Sequence, residues 1–325
     1  MTSHVIIVGG LADPELLRIV AGADVSTVDA GGSTGILAPL NKRMLFYLDV
    51  TGHVVDLEPA SDKQRVIFTE DVPIDLEREV AEELMRLMDS RSVKEAQAAL
   101  PQIRMRAATR LRAKANPSPA PFEPKITLDT EGISATRQPY THYFAVREDD
   151  LAFPTFAGGR SEVVTRASFL GGDAVTVLPY DPGLDKVLIT RQFRHGPFAR
   201  GDANPWPLEP AAGRIDPGET PEDAARRELL EETGAEAKAL HRIGGYYPSP
   251  GAYSEFLYSY VAIADLSGID GRTGGLAGEA EDIMSHVVSF DHLMALVENG
   301  AANTGPLVLS ALWLATRRAE LRGSD

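Results

Sequence analysis

Gly213-Arg-Ile-Asp-Pro-Gly-Glu219, then Thr220-Pro-Glu-Asp-Ala-Ala-Arg226, then Arg227-Glu-Leu-Leu-Glu-Glu-Thr-Gly234-Ala235, decides the fold of this 325-residue chain. It describes a glycine turn running into a helix. Thr220 suits the N-cap, Pro221 the first helical position, and Glu222 and Asp223 the positive end of the helix dipole. Gly234 suits the position just past the last turn. The spacing therefore predicts a helix over 221–233. On that helix Glu228, Glu231 and Glu232 stand at i, i+3 and i+4, so three carboxylates share a face. Ala224, Ala225, Leu229 and Leu230 lie opposite, small and apolar enough to pack on a sheet. Like charges this close repel, and a folded chain keeps them most readily around a cation. Hard oxygen donors without Cys or a nearby His suit Mg²⁺, with Mn²⁺ as the alternative, rather than Zn²⁺.

Composition fits a cytoplasmic enzyme. The chain is long enough for two cores. It has no Cys, hence no disulfide framework, thiol nucleophile or zinc–thiolate site. The opening Met1-Thr-Ser-His lacks the basic flank and apolar run of a signal peptide, and no stretch approaches the length of a membrane span. A net charge of −15 argues against a nucleic-acid partner, though not against a small phosphorylated substrate whose charge bound metals offset. The seven histidines form no close metal-ligand pair, so His195 and His286 are read as incidental.

Four prolines within residues 117–124 mark a stiff linker over 116–125. The expected organisation is a small α+β domain over 1–115 and a larger α/β domain over 126–325. In the first, Val5-Ile-Ile-Val8 reads as a strand, Asp13–Val20 as a capped helix, and 76–90 and 92–113 as helices. Arg104, Arg106, Arg110 and Arg112 read as a solvated helix face. In the second, Val175–Tyr180 and Lys186–Thr190 form a strand pair around Asp181-Pro-Gly-Leu-Asp185. Phe256–Ile263 is a further strand, and Asp291–Val297 and Leu307–Arg318 are helices.

The segment 213–235 resembles the Nudix box, G-x5-E-x7-R-E-U-x-E-E-x-G-U, with every fixed position filled and Ala235 as the final apolar residue. The resemblance implies an α/β/α sandwich with a mixed sheet and a hydrolase that splits a nucleoside diphosphate from another moiety with divalent cations. It makes Glu228 and Glu232 the main metal ligands, assisted by Glu231 and the Ala212 carbonyl. Arg227 would pair with Glu219, and Gly213 and Gly234 would be structural.

The flanks are similar to those of ADP-ribose pyrophosphatases. Val187-Leu-Ile-Thr-Arg-Gln-Phe-Arg194 resembles their V-x-Q-[FY]-R segment and points to Arg194 as a substrate contact. Leu208-Glu-Pro-Ala-Ala-Gly213 matches their lead-in to the box, which makes Glu209 a site carboxylate. Ser249-Pro-Gly251 places Pro250 where a proline accompanies ADP-ribose specificity, with Glu255 following. Gly275-Leu-Ala-Gly-Glu-Ala-Glu-Asp282 looks like their acidic loop, making Glu279 the first choice for general base and Glu281 the second. The glycines of 271–278 suit a loop that closes on substrate.

By the same resemblance, Mg²⁺ held by Glu228, Glu231 and Glu232 activates water, and the products are AMP and ribose 5-phosphate. Arg194 and Arg166 grip the substrate. The protein is a homodimer in which Tyr143 or Phe144 stacks on adenine. A Nudix enzyme for another nucleotide sugar or a dinucleotide shares the box, and an ADP-ribose-sensing module is the non-catalytic alternative. NADH pyrophosphatases carry a zinc ribbon that a Cys-free chain cannot build in its usual form. The N-terminal Gly9-Gly-Leu-Ala-Asp-Pro-Glu-Leu-Leu17 resembles in part the opening of gamma-glutamylcyclotransferase-like domains. Val8-Gly9-Gly10-Leu11 stands for their Tyr-Gly-Thr-Leu and no catalytic glutamate can be placed, which implies an inactive copy.

Overall fold

The computed structural model describes residues 4–30, 34–59, 65–69, 71–119, 122, 132–275 and 281–323. It divides into two compact units, Met1–Gly171 and Gly172–Asp325.

The first unit opens with strand β1 (His4–Gly9), helix α1 (Pro14–Ala21), β2 (Ser26–Asp29), β3 (Thr34–Pro39), α2 (Lys42–Thr51), β4 (Val54–Pro59) and β5 (Arg65–Thr69). The sheet order is β2-β3-β1-β5-β4, with β1 and β5 parallel. Helices α3 (Ile74–Leu87) and α4 (Val93–Ala115) follow, close to the predicted 76–90 and 92–113. Asp13 caps α1 through a bond from the Leu16 N–H at 2.7 Å, as its sequence position suggested. Leu16, Leu17, Val20, Tyr47, Val80, Leu84 and Ile103 belong to the buried core.

The arginine run of α4 corrects the reading of a solvated face. Arg106 is 3% exposed and donates twice to Glu83 Oε1, at 3.0 and 2.6 Å. Arg110 bonds Glu79 at 2.6 Å and Glu83 at 3.2 Å, and Arg104 lies 3.5 Å from Glu77. Burial alone would raise the Glu83 carboxyl, but Arg106 and Arg110 outweigh it and hold it low. Arg106 and Arg110 are four apart on α4, as Glu79 and Glu83 are on α3. Two complementary helix faces mate.

Beyond the linker, β6 (Ile133–Thr141), β7 (Ala145–Leu151) and β8 (Val164–Leu170) form a separate antiparallel sheet. It is grouped with the first unit, where Gln138 of β6 donates to Glu83 at 2.9 Å. The two compact units part at 171/172.

The second unit is built on β9 (Ala174–Asp181), all eight residues of which are buried. Its partners are β10 (Lys186–Arg191), β11 (Leu208–Glu209), β12 (Ala211–Arg214), β13 (Ala239–Tyr246), β14 (Leu257–Ile263), β15 (Thr273–Gly274) and β16 (Ile283–Ser289). The path runs β13-β14-β9-β10-β16-β15, with β11 on β10 and β12 on β9. The β14–β9 pair is parallel and its neighbours are antiparallel, so the sheet is mixed. One face packs on α6 (Pro221–Thr233) through Ala224, Ala225 and Leu229. The other packs on α7 (Phe290–Glu298) and α8 (Gly305–Leu321) through Leu293, Leu307, Ala311 and Leu314. This is the α/β/α sandwich expected. A short helix, α5 (His195–Arg200), follows β10. Among the described residues no helix is long and apolar enough to cross a membrane.

Candidate active site

Helix α6 begins and ends where its caps dictate. Thr220 Oγ1 accepts from the Asp223 N–H at 3.1 Å, and Gly234 takes φ 71° at the other end. The Glu219 carboxylate accepts from Arg227 Nε at 2.9 Å and Nη2 at 2.8 Å, a forked pair. Arg227 Nη2 also reaches the Arg214 carbonyl at 2.9 Å, tying the helix to β12. That is the loop-to-helix clasp expected of these two residues. A further role escaped the sequence: Arg227 Nη1 donates to Glu228 at 2.7 Å and to Glu231 at 3.1 Å. The i, i+4 spacing of Arg227 and Glu231 was the available signal.

Glu228 and Glu232 converge on β12. A Cβ on Gly213 would stand 1.9–2.2 Å from the Glu228 carboxyl atoms, so only glycine leaves room for that group. Glu232 is 2% exposed. Its Oε2 accepts from the Ala212 N–H at 3.1 Å, while its Oε1 is buried without a hydrogen-bond partner. Burial, reinforced by Glu228 and Glu281, pushes Glu232 up to about 8 against the Ala212 bond. Glu228 is pushed up to about 7, first by burial and then by Glu231 and Glu281, with Arg227 pulling the other way. Among the described residues no three His, Asp or Glu side chains already converge as a cation-binding set. The reason is visible in the contacts, since Arg227 draws Glu228 and Glu231 to itself and Glu232 leans on Ala212. The donor set nonetheless fits a hard divalent cation. It consists of carboxylate oxygens, one of them buried and unpartnered, beside a backbone cradle that a side chain would fill.

Arg194 precedes α5, and its Nε donates to Glu209 Oε2 at 2.7 Å. Partial burial works against its charge, but Glu209, Glu232 and Glu281 outweigh that and raise its pKa. Arg194 thus lies in the field of Glu209, Glu232 and Glu281, and Glu281 in that of Glu228 and Glu232. Glu279 lies outside the described residues. Pro250 is exposed in the β13–β14 connection, where the Ala252 and Tyr253 N–H groups close a turn onto the Ser249 carbonyl. Burial raises the nearby Glu255.

Tyr143, Phe144 and Arg166 belong to the first unit. Tyr143 and Phe144 stand exposed in the β6–β7 turn, edge to face at 5.0 Å. Tyr143 also borders a cavity of about 340 Å³ beside α4. Arg166 is exposed on β8 opposite Asp149. His195 opens α5, and His286 borders a cavity of about 460 Å³ with Ile189, Arg191, Trp206 and Asn303.

The NUDIX domain model matches residues 171–308, which leaves the first 170 residues unassigned. An ADP-ribose pyrophosphatase of Haemophilus influenzae is 35% identical over 187 residues, 57% of this chain and 86% of that protein. The similarly described protein of Escherichia coli K12 is 34% identical over 190 residues, 58% of this chain and 90% of that one. A GDP-mannose pyrophosphatase of Pectobacterium atrosepticum is 33% identical over 138 residues, 42% of this chain and 70% of its own length. With the filled box on its capped helix and a mixed sheet between helical layers, this chain belongs to the Nudix family of hydrolases.

Proposed function

We propose that the protein hydrolyses the pyrophosphate bond of ADP-ribose to AMP and ribose 5-phosphate, using Mg²⁺ or Mn²⁺. The observation that carries the reading is Arg194 set among Glu209, Glu232 and Glu281, a fixed cation for a substrate phosphate beside a carboxylate cluster. Glu228 and Glu232, with Glu231 and the Ala212 carbonyl, would hold the metal, and Gly213, lacking a side chain, leaves room for the Glu228 carboxyl to lie against the β12 backbone. When bound, the cation supplies neutralisation of the pyrophosphate and makes water a nucleophile near neutral pH. Arg194 binds and orients the phosphate by charge-assisted hydrogen bonds, and Glu209 fixes the plane of its guanidinium. The general base comes from the acidic loop, where Glu279 keeps first place. Glu281 joins the Glu228–Glu232 cluster. The similarity to ADP-ribose pyrophosphatases on both sides of the box supports the choice of substrate. Substrate contacts by Arg166 and Pro250, adenine stacking by Tyr143 or Phe144, and a homodimer complete the proposal.

The similarity to a GDP-mannose pyrophosphatase favours a second reading, in which another nucleoside diphosphate sugar is the better substrate. Turnover of ADP-ribose, ADP-glucose, NADH and GDP-mannose, each with Mg²⁺ and with chelator, separates the two. ADP-ribose is expected to give the highest kcat/KM and no turnover in chelator. Faster cleavage of GDP-mannose would replace the first reading by the second.

A further inference from the structure

Within the glycine-rich stretch 271–278, the described residues 271–275 make close contacts on two sides. Gly274 pairs with Ile283 and Thr273 with Met284 in the β15–β16 ladder. The Ser285 N–H donates to the Arg272 carbonyl at 2.9 Å, and the Gly271 N–H to the Ser285 carbonyl at 3.0 Å. The other side of the segment lies on the last turn of α6. There the Gly275 N–H meets the Glu231 carbonyl at 3.4 Å. A Cβ on Gly274 would stand 1.8 Å from the Glu232 carbonyl oxygen and 2.6 Å from its carbon, backbone atoms that cannot swing aside. A Cβ on Gly234 would stand 2.1 Å from a guanidinium nitrogen of Arg272. The Arg272 cation therefore rests on the C-cap of α6, the negative end of the helix dipole. Gly234 is thus required twice, for its φ of 71° and for the room it leaves. Finally, Gly275 at φ 96° abuts Glu281, since a Cβ there would lie 2.7 Å from the Glu281 Cβ.

We propose that Arg272 and Gly274 are positioning residues, clamping β15 onto the C-terminal turn of α6 and so holding Glu281 at the Glu228–Glu232 carboxylates. The helix that carries the box carboxylates and the strand that delivers Glu281 are locked in register by two close contacts. One is backbone on backbone at Gly274, and the other is guanidinium on helix end at Arg272. Glu281 lies against Gly275, next to this anchor, two residues before Ile283 of the β15–β16 ladder, and its charge reaches both Glu228 and Glu232. The proposal rests on the reading of Glu281 as part of the site.

The test is a double-mutant cycle in the full-length chain. Gly274→Ala is expected to lower kcat by about 10²-fold, the usual effect of a misplaced group, with KM changed by less than about twofold. It should also weaken Mn²⁺ binding, measured by electron paramagnetic resonance without substrate. Gly244→Ala, at an ordinary φ with open space around it, is the control and keeps both values. In a Glu281→Gln background Gly274→Ala should add nothing to either loss. Multiplying losses would overturn the clamp, because Gly274 would then act through the Glu232 backbone or general stability. If Glu281→Gln alone costs nothing, the clamp and the reading of Glu281 fall together, whereas the metal assignment of Glu228 and Glu232 stands. Should Gly274→Ala fail to fold, Arg272→Met replaces it in the same cycle, with Arg272→Lys expected to restore part of the loss.

Discussion

Glu232→Gln should make the protein more stable in chelator at alkaline pH while removing its activity. Glu232 is fully enclosed, with one oxygen on the Ala212 N–H and the other without a partner. Burial, then Glu228 and Glu281, lift it from 4.5 to about 8. Between those values the folded chain holds a proton that the unfolded chain releases, so stability falls as pH rises through the window. At about 1.4 kcal/mol per pH unit the burden is about 3 kcal/mol at pH 7 and about 5 kcal/mol above pH 8. Glutamine keeps the acceptor for Ala212 but places an amide N–H₂ where Oε1 had no partner, at a cost of about 1–3 kcal/mol. The net gain is then about 1 kcal/mol at pH 7 and about 3 kcal/mol at pH 9, or a Tm rise of a few degrees growing to about 10 °C. At pH 5 glutamine gains nothing and its unpaired amide leaves the variant the less stable of the two. Thermal melts of both proteins in chelator at pH 5, 7 and 9 measure this directly. A Tm difference that does not change with pH would refute the reasoning from burial. Turnover in saturating Mg²⁺ should fall by orders of magnitude, and unchanged turnover would sink the metal assignment.

The loop carboxylates and the chain division give two further tests. Glu279→Gln should cut kcat by about 10²–10⁴-fold, the worth of a positioned base, with KM little altered. If Glu281→Gln alone shows that pattern without weakening Mn²⁺ binding, the base is Glu281. A chain beginning near Lys125 should remain folded and active, because the carboxylate cluster and Arg194 all lie beyond the linker. Aggregation of that chain while the full protein stays soluble would assign β6–β8 to the N-terminal fold, consistent with the Gln138–Glu83 bond.

What was legible before the structure depended on how local its causes were. Helix α6 was bounded to the residue because Thr220, Pro221 and Gly234 act within one turn of its ends. The β9–β10 hairpin was legible because apolar runs flank Asp181-Pro-Gly-Leu-Asp185, where Asp181 accepts from the N–H groups of Gly183 and Leu184. Strand β7 was not, since Ala-Val-Arg-Glu-Asp-Asp-Leu has neither alternation nor apolar length. Its cause lies across the sheet, where Asp150 takes a forked pair from Arg137 at 2.7 Å and a bond from Thr165 at 2.6 Å. The buried α3–α4 ion pairs and the Gly274 contact likewise need two segments distant in sequence. At the site, the box residues were legible by spacing. The approach of Glu281 to them depended on how β15 and β16 return to α6.

The triple engagement of Arg227 makes it the resident counterion of its own helix. It balances Glu219 in the loop while also touching Glu228 and Glu231. If Glu228 holds a divalent cation as proposed, loading would exchange one counterion for another rather than fill a void. The carboxylate would then leave a guanidinium that keeps Glu219 as its anchor. The Arg227 side chain is 30% exposed and that of Glu228 14%, so the contact to be exchanged is part-buried. Arg227 thus compensates the carboxylates, and its clasp on Glu219 does not depend on the contact to Glu228.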